Sequence, residues 1–151
     1  MRVLLQRVSH ASCTVDGNIT GEINIGYLLF VGFTHSDNEE NLKKAVKKIT
    51  NFRIFEDEQG KMNLNLQTVG GDILSISQFT LYANTNEGNR PSFTDAMNPN
   101  DAKELYLKFN EMLRENGFNV YEGIFGAHME IRLFNDGPVT INIELWSHFV
   151  K

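Results

Sequence analysis

Residues able to do chemistry are few in this chain, and their spacing fits none of the common catalytic sets. The four histidines, His10, His35, His128 and His148, form no H-x-x-x-H pair, and the lone cysteine cannot complete a ligand set. No zinc site is therefore expected. Neither a G-x-S-x-G elbow nor a G-x-x-x-x-G-K phosphate loop occurs, so no side-chain triad hydrolase is legible. Two other segments stand out. Ile73-Leu74-Ser75-Ile76-Ser77-Gln78-Phe79-Thr80-Leu81 carries polar side chains inside an apolar, strand-like run. Period-two alternation sets Gln78 and Thr80 on one face and Ser77 and Phe79 on the other. On composition alone, a solvated strand face explains this patch better than a site does. Asn135-Asp136-Gly137-Pro138 lies between two alternating runs and reads as a hairpin turn. A Gly-Pro bond can be cis at small cost, and Pro138 removes a backbone donor where a strand begins, which suits an edge.

The elements around these segments follow from periodicity. Arg2 to Val8 and Ser12 to Val15 read as strands, and Asp16-Gly17-Asn18 leads back into Ile19 to Ile23 as a hairpin. Tyr27 to Phe33 suits a buried strand. Phe52 to Phe55, Ile73 to Tyr82, Ala127 to Phe134 and Val139 to Trp146 complete the set, the last two alternating cleanly. A first helix is expected where Ser36 or Asp37 can cap and Leu42, Ala45, Val46 and Ile49 recur at helical spacing. A second opens at Asn98-Pro99, carries Ala102, Leu105, Phe109, Met112 and Leu113 on one stripe, and ends at Gly117. Gly70-Gly71-Asp72 is a turn. The resulting fold class is α+β: one domain over residues 1–151, with a curved, barrel-like, mostly antiparallel sheet and two main helices.

The totals agree. A chain of 151 residues, 41% hydrophobic and 22% charged, can bury a core without disulfide or metal. Cys13 alternates with Ser12 and Thr14 and reads as a half-buried bystander with no base beside it. No run of 18 apolar residues occurs and the start of the chain is no signal peptide, so no membrane partner and a cytoplasmic location are expected. The formal net charge of −5 argues against extensive wrapping of nucleic acid, but not against recognition of one RNA end. Lys43, Lys44, Lys47, Lys48 and Arg53 fall within eleven residues, a run best read as a solvated helix face.

Taken together, the two segments resemble the D-aminoacyl-tRNA deacylase family along nearly the whole chain. Besides Ser77-Gln78-Phe79-Thr80-Leu81 and Asn135-Asp136-Gly137-Pro138-Val139-Thr140, the similarity includes Gln6-Arg7-Val8 and Arg53-Ile54-Phe55. It also includes Gly60-Lys61-Met62-Asn63-Leu64-Asn65 and Arg90-Pro91-Ser92-Phe93. Each piece alone is weak; six in order at family-like spacing are specific.

The resemblance implies a homodimer with active sites at the subunit interface, acting on the aminoacylated 3′ end of tRNA and not on DNA. Ser77, Gln78, Phe79 and Thr80 would line the pocket for the terminal aminoacyl-adenosine. Gly137 and Pro138, as a Gly-cisPro pair, would enter the partner's pocket and reject L-amino acids by steric clash. Arg7 would hold that loop in place, and Phe125, Gly126, Ala127 and Met129 would form further wall. The implied reaction releases the D-amino acid from D-aminoacyl-tRNA, and in part glycine from glycyl-tRNA, with no cofactor and no metal. The 2′-hydroxyl of the terminal ribose would assist attack by water while backbone donors hold the oxyanion. Two alternatives stand beside this: a hydrolase using Thr80 as nucleophile, and a tRNA-end binding module without catalysis.

Overall fold

A computed structural model describes residues 1–146; His148 and the rest of the C-terminal segment after Trp146 lie outside the described residues. Strand β1 (Arg2–Val15) pairs on one edge with β8 (Glu130–Glu144) over almost its full length. Its other edge is shared. β2 (Asn18–Ile23) takes the C-terminal part, and β3 (Gly26–Gly32) takes the N-terminal part from Arg2↔Gly32 to Val8↔Gly26. The β1–β2 connection is the expected hairpin. Val15 pairs with Asn18 across Asp16 and Gly17, whose positive φ values of 50° and 80° match the twist of the flanking strands.

Beyond β3 the pairing changes sense. β6 (Asp72–Ser77) runs parallel to β3, and β7 (Val120–Glu122) runs parallel to β6. The sheet is thus mixed: its pairings are mostly antiparallel, as expected, with two parallel ones at the β6 and β7 edge. It also nearly closes: a Cβ on Gly21 of β2 would lie 2.9 Å from Tyr121 Cβ on β7. Only glycine lets the two strands approach so closely.

Three helices accompany the sheet, one more than expected: α1 (Glu39–Asn51), the short α2 (Leu66–Val69) and α3 (Pro99–Glu115). A two-stranded ribbon, β4 (Phe55–Glu56) with β5 (Met62–Leu64), stands apart. The α1 cap is Asn38, not Ser36 or Asp37; its side chain accepts from the Glu40 and Asn41 N–H groups while Asn41 reaches back. Asp37 is otherwise engaged, accepting from the Met1 ammonium at 2.7 Å and the Thr34 N–H at 2.7 Å. α3 begins as expected, with Asn98 capping Asp101 and Pro99 in the first turn. Its buried face, however, includes Tyr106 and Asn110, which an apolar stripe does not reveal.

Burial forms two clusters on opposite faces of the sheet. Leu5, Tyr27, Leu29 and Ile73 pack against Leu42 and Ile49 of α1 and Phe109 and Leu113 of α3. Val8, Ala11, Leu28, Leu74 and Ile76 fill the concave side with Cys13. Cys13 is wholly buried rather than half-buried, because the curved sheet folds over its face. Lys43, Lys47 and Lys48 are exposed along α1. Among the described residues no helix is long and apolar enough to cross a membrane.

Candidate active site

The expected strand from Ile73 to Tyr82 ends at Ser77, and the chain turns instead through a single 3-10 turn, Phe79–Tyr82. The alternation assigned to Ser77, Gln78, Phe79 and Thr80 therefore does not hold. The cause lies in the neighbouring strand. β3 stops at Gly32, where a Cβ would stand 2.7 Å from the Gln78 carbonyl oxygen. The absent side chain lets residue 78 cross over the strand end, and the Gln78 N–H still donates to the Val31 carbonyl at 2.8 Å. The Leu81 and Ala83 N–H groups then close the turn onto Gln78 and Thr80.

Arg2 fixes the far end of this turn. Its Nη1 donates to the Leu81 carbonyl at 2.7 Å, its Nε meets Glu144 at 3.0 Å, and its guanidinium lies 4.5 Å from the centre of the Tyr82 ring. At the near end, the first donors of a helical turn have no acceptor within it. Here those are the Phe79 and Thr80 N–H groups.

The turn borders a cleft of about 570 Å³. Ser77, Gln78 and Phe79 form one wall, and Phe125, Gly126, Ala127 and Met129 form another, so seven sequence-predicted residues share one site. Thr80 is exposed and is not among the lining residues. Its hydroxyl is bonded to the Gln78 amide, a group that cannot take its proton. Phe79, 59% exposed, meets Phe93 edge-on with ring centres 5.1 Å apart. Phe93 and Met97 come from the connection between the turn and α3. That connection is pinned by paired Asn84 and Ser92 backbone bonds and by the Met97 N–H donating to Phe33.

Several lining residues carried no signal in the sequence: Gly32, Phe93, Met97, His128 and Ile131. Phe93 sits inside a family-like motif without an assigned role, and Gly32 looks like any glycine in an apolar run. Among the described residues no three His, Cys, Asp or Glu side chains are grouped to hold a metal.

Asn135-Asp136-Gly137-Pro138 is not a hairpin. The two alternating runs form one strand, β8, which follows β1 without reversing. Pairing steps from Gln6↔Thr140 to Val8↔Asn135, so β8 spends five residues where β1 spends two. The surplus is extruded as a bulge. Within it the Gly137-Pro138 bond is cis and Gly137 has φ of +144°. Asn135 braces the bulge, accepting from the Val139 N–H at 2.7 Å and donating to Thr140 Oγ1 at 3.0 Å. Buried Arg7 braces it from below, with Nε donating to the Asp136 carbonyl at 2.8 Å and Nη1 to the Ile54 carbonyl at 2.7 Å. Arg7, Gly137 and Pro138 do not line the cleft of their own chain.

The relatives of the chain agree on one family. A family model described as D-Tyr-tRNA(Tyr) deacylase matches residues 4–144. The D-aminoacyl-tRNA deacylase of an Exiguobacterium species is 57% identical over 144 residues, covering 95% of this chain and 98% of that protein. Its counterpart in Deinococcus radiodurans is 50% identical, covering 96% of this chain and all of that protein. A solved structure described as the c-Myc DNA Unwinding Element Binding Protein superposes with a TM-score of 0.91 at 38% identity, covering 97% of this chain and 100% of its own. Another, described as a probable eukaryotic D-amino acid tRNA deacylase, shares the fold with a TM-score of 0.81 at 19% identity, covering 94% of this chain and 98% of its own. Matched along nearly its whole length, the chain belongs to the D-Tyr-tRNA(Tyr) deacylase family.

Proposed function

We propose that this protein hydrolyses the ester of D-aminoacyl-tRNA in the cleft beside Ser77, Gln78 and Phe79, and works as a homodimer in the cytoplasm. The observation that carries the reading is the turn itself. It borders an apolar cleft through Ser77, Gln78 and Phe79, and its first two N–H groups, Phe79 and Thr80, have no acceptor within the turn. Among the described residues the Thr80 hydroxyl meets the Gln78 amide rather than a base. An aminoacyl ester is already activated, so positioning and fixed donors for the oxyanion suffice without an ionisable nucleophile. The 2′-hydroxyl of the terminal ribose then assists the attacking water. Net charge of −5 suits capture of one RNA end rather than tracking along a DNA duplex.

Gly137 and Pro138 are proposed to act in the partner's cleft. What supports this is a braced, rigid bulge that lies outside the cleft of its own chain. Its carbonyls would occupy the space an L-side chain needs, so rejection comes from a clash, and glycine would be accepted in part. Mixed dimers test the arrangement. Heterodimers of a Gly32→Ala chain and a Gly137→Val chain should regain one working cleft of the two, while each parent homodimer stays at least about tenfold below wild type. Heterodimers no more active than the parents would rule the cross-subunit site out. Thr80→Val should retain turnover; its loss with unchanged tRNA binding would favour Thr80 as nucleophile.

A further inference from the structure

The two cleft walls spring from adjacent strands. β6 and β7 are paired through Ile73↔Val120, Leu74↔Tyr121 and Ser75↔Glu122, and there the parallel pairing stops. Beyond this point β6 continues into Ser77 and the Phe79 turn, while the chain leaving β7 continues into Phe125, Gly126, Ala127 and Met129. The width of the cleft is therefore set at a fork between Ser75 and Gly123. Backbone pairing holds that fork weakly: the Gly123 N–H reaches the Ser75 carbonyl only at 3.4 Å, long for such a bond.

A side chain from α3 holds it better. Tyr106, 1% exposed, donates its hydroxyl to the Ser75 carbonyl at 2.6 Å. Its ring lies 6.0 Å from that of Phe125, on the opposite wall. One residue thus touches both branches. Burial pushes its phenol up to about 12, so it stays a donor throughout the neutral range. Two further polar residues follow at helical spacing. Asn110 donates to Glu122 at 3.0 Å, and Arg114 donates to the Val120 carbonyl at 2.8 Å. Positions 106, 110 and 114 fall on one side of α3, which clamps β7 while Tyr106 clamps β6. A buried phenol is costly without a partner, and an apolar side chain would fill this core position without that requirement.

We infer that Tyr106 is a positioning residue: its bond to the Ser75 carbonyl fixes the spacing between the Ser77–Phe79 wall and the Phe125–Met129 wall. The inference rests on the reading that the ester is held between those walls. A displacement of about 1 Å at a reacting centre can cost on the order of a hundredfold in rate, so a small relaxation of the fork should be visible in turnover.

The test compares wild type, Tyr106→Phe and Tyr106→4-aminophenylalanine, which restores a donor, at a temperature well below the melting point of each. With D-Tyr-tRNA as substrate, Tyr106→Phe should lower kcat about tenfold while KM stays within about twofold, and the amino variant should recover most of the loss. Unchanged kcat in Tyr106→Phe, with or without a fall in Tm, would overturn the inference, as would failure of the amino variant to recover. Amide hydrogen exchange supplies a readout independent of activity. Exchange at both walls should quicken in Tyr106→Phe, and unchanged exchange there would also overturn it. Wild-type protein that releases no D-tyrosine would instead sink the deacylase reading, leaving the role of Tyr106 to be decided by the exchange result.

Discussion

The Gln78 carbonyl rests on the bare backbone of Gly32, 2.7 Å from the place a Cβ would occupy. The oxygen belongs to the residue that opens the 3-10 turn, so any side chain at position 32 must push the turn away from β3. Gly32→Ala should therefore cut deacylation at least tenfold. Overpacking of this kind costs roughly 1–3 kcal/mol, so the denaturation midpoint should fall with the fold kept. Steady-state kinetics beside a urea melt check both; full activity would show that the turn is not what the cleft depends on.

Arg7 links the Gly137-Pro138 bulge to the Ile54 carbonyl that precedes β4. Lysine keeps the charge but cannot bridge two carbonyls in fixed directions. Arg7→Lys is expected to lose on the order of 2 kcal/mol of stability, the scale of a hydrogen bond to a charged group. If the bulge excludes L-substrate as proposed, the variant should also narrow the ratio of D- to L-Tyr-tRNA hydrolysis, since a loosened bulge would exclude less. A melt and a paired kcat/KM measurement test this; an unchanged ratio would separate Arg7 from chiral exclusion.

Much of the fold was legible because alternation and helical stripes record burial. The Asp16-Gly17 hairpin and the Asn98-Pro99 helix start were set by local chemistry and came out as read. The misreadings share a cause. Ser77 to Leu81 has strand composition, and only the approach permitted by Gly32, over forty residues earlier, bends it into a turn. Asn135 to Pro138 has turn composition, and only continued pairing of β8 with β1 makes it a bulge. Tyr106 and Asn110 were invisible for a different reason: polar residues on a buried helix face break the apolar stripe that periodicity detects.

Alkaline pH should reveal the buried phenols. Burial raises the pKa of Tyr27, Tyr82 and Tyr106 above the ordinary value of 10.0, that of Tyr106 to about 12. A folded-state value above the unfolded one gives stability that is fully present below pH 10 and lost as pH rises toward the folded value. The urea midpoint should hold steady up to about pH 9.5 and then fall, less steeply in Tyr106→Phe. A flat profile from pH 9 to 12 would show that these hydroxyls are not buried.

On the proposed mechanism, in which exclusion rather than a fitted pocket would do the sorting, side-chain identity should matter little once chirality is right. D-Tyr-, D-Ala- and D-Asp-tRNA are expected to differ by less than about tenfold in kcat/KM, with glycyl-tRNA hydrolysed in part. Competition assays on matched tRNA check this; a steep preference for one D-amino acid would point to a side-chain pocket.

The most direct measurement is release of free tyrosine from D-Tyr-tRNA and L-Tyr-tRNA, prepared on the same tRNA and incubated with the purified protein. Rapid release from the D-ester with the L-ester surviving at its spontaneous rate is the expected result. Equal hydrolysis of both esters, or of neither, would contradict the account.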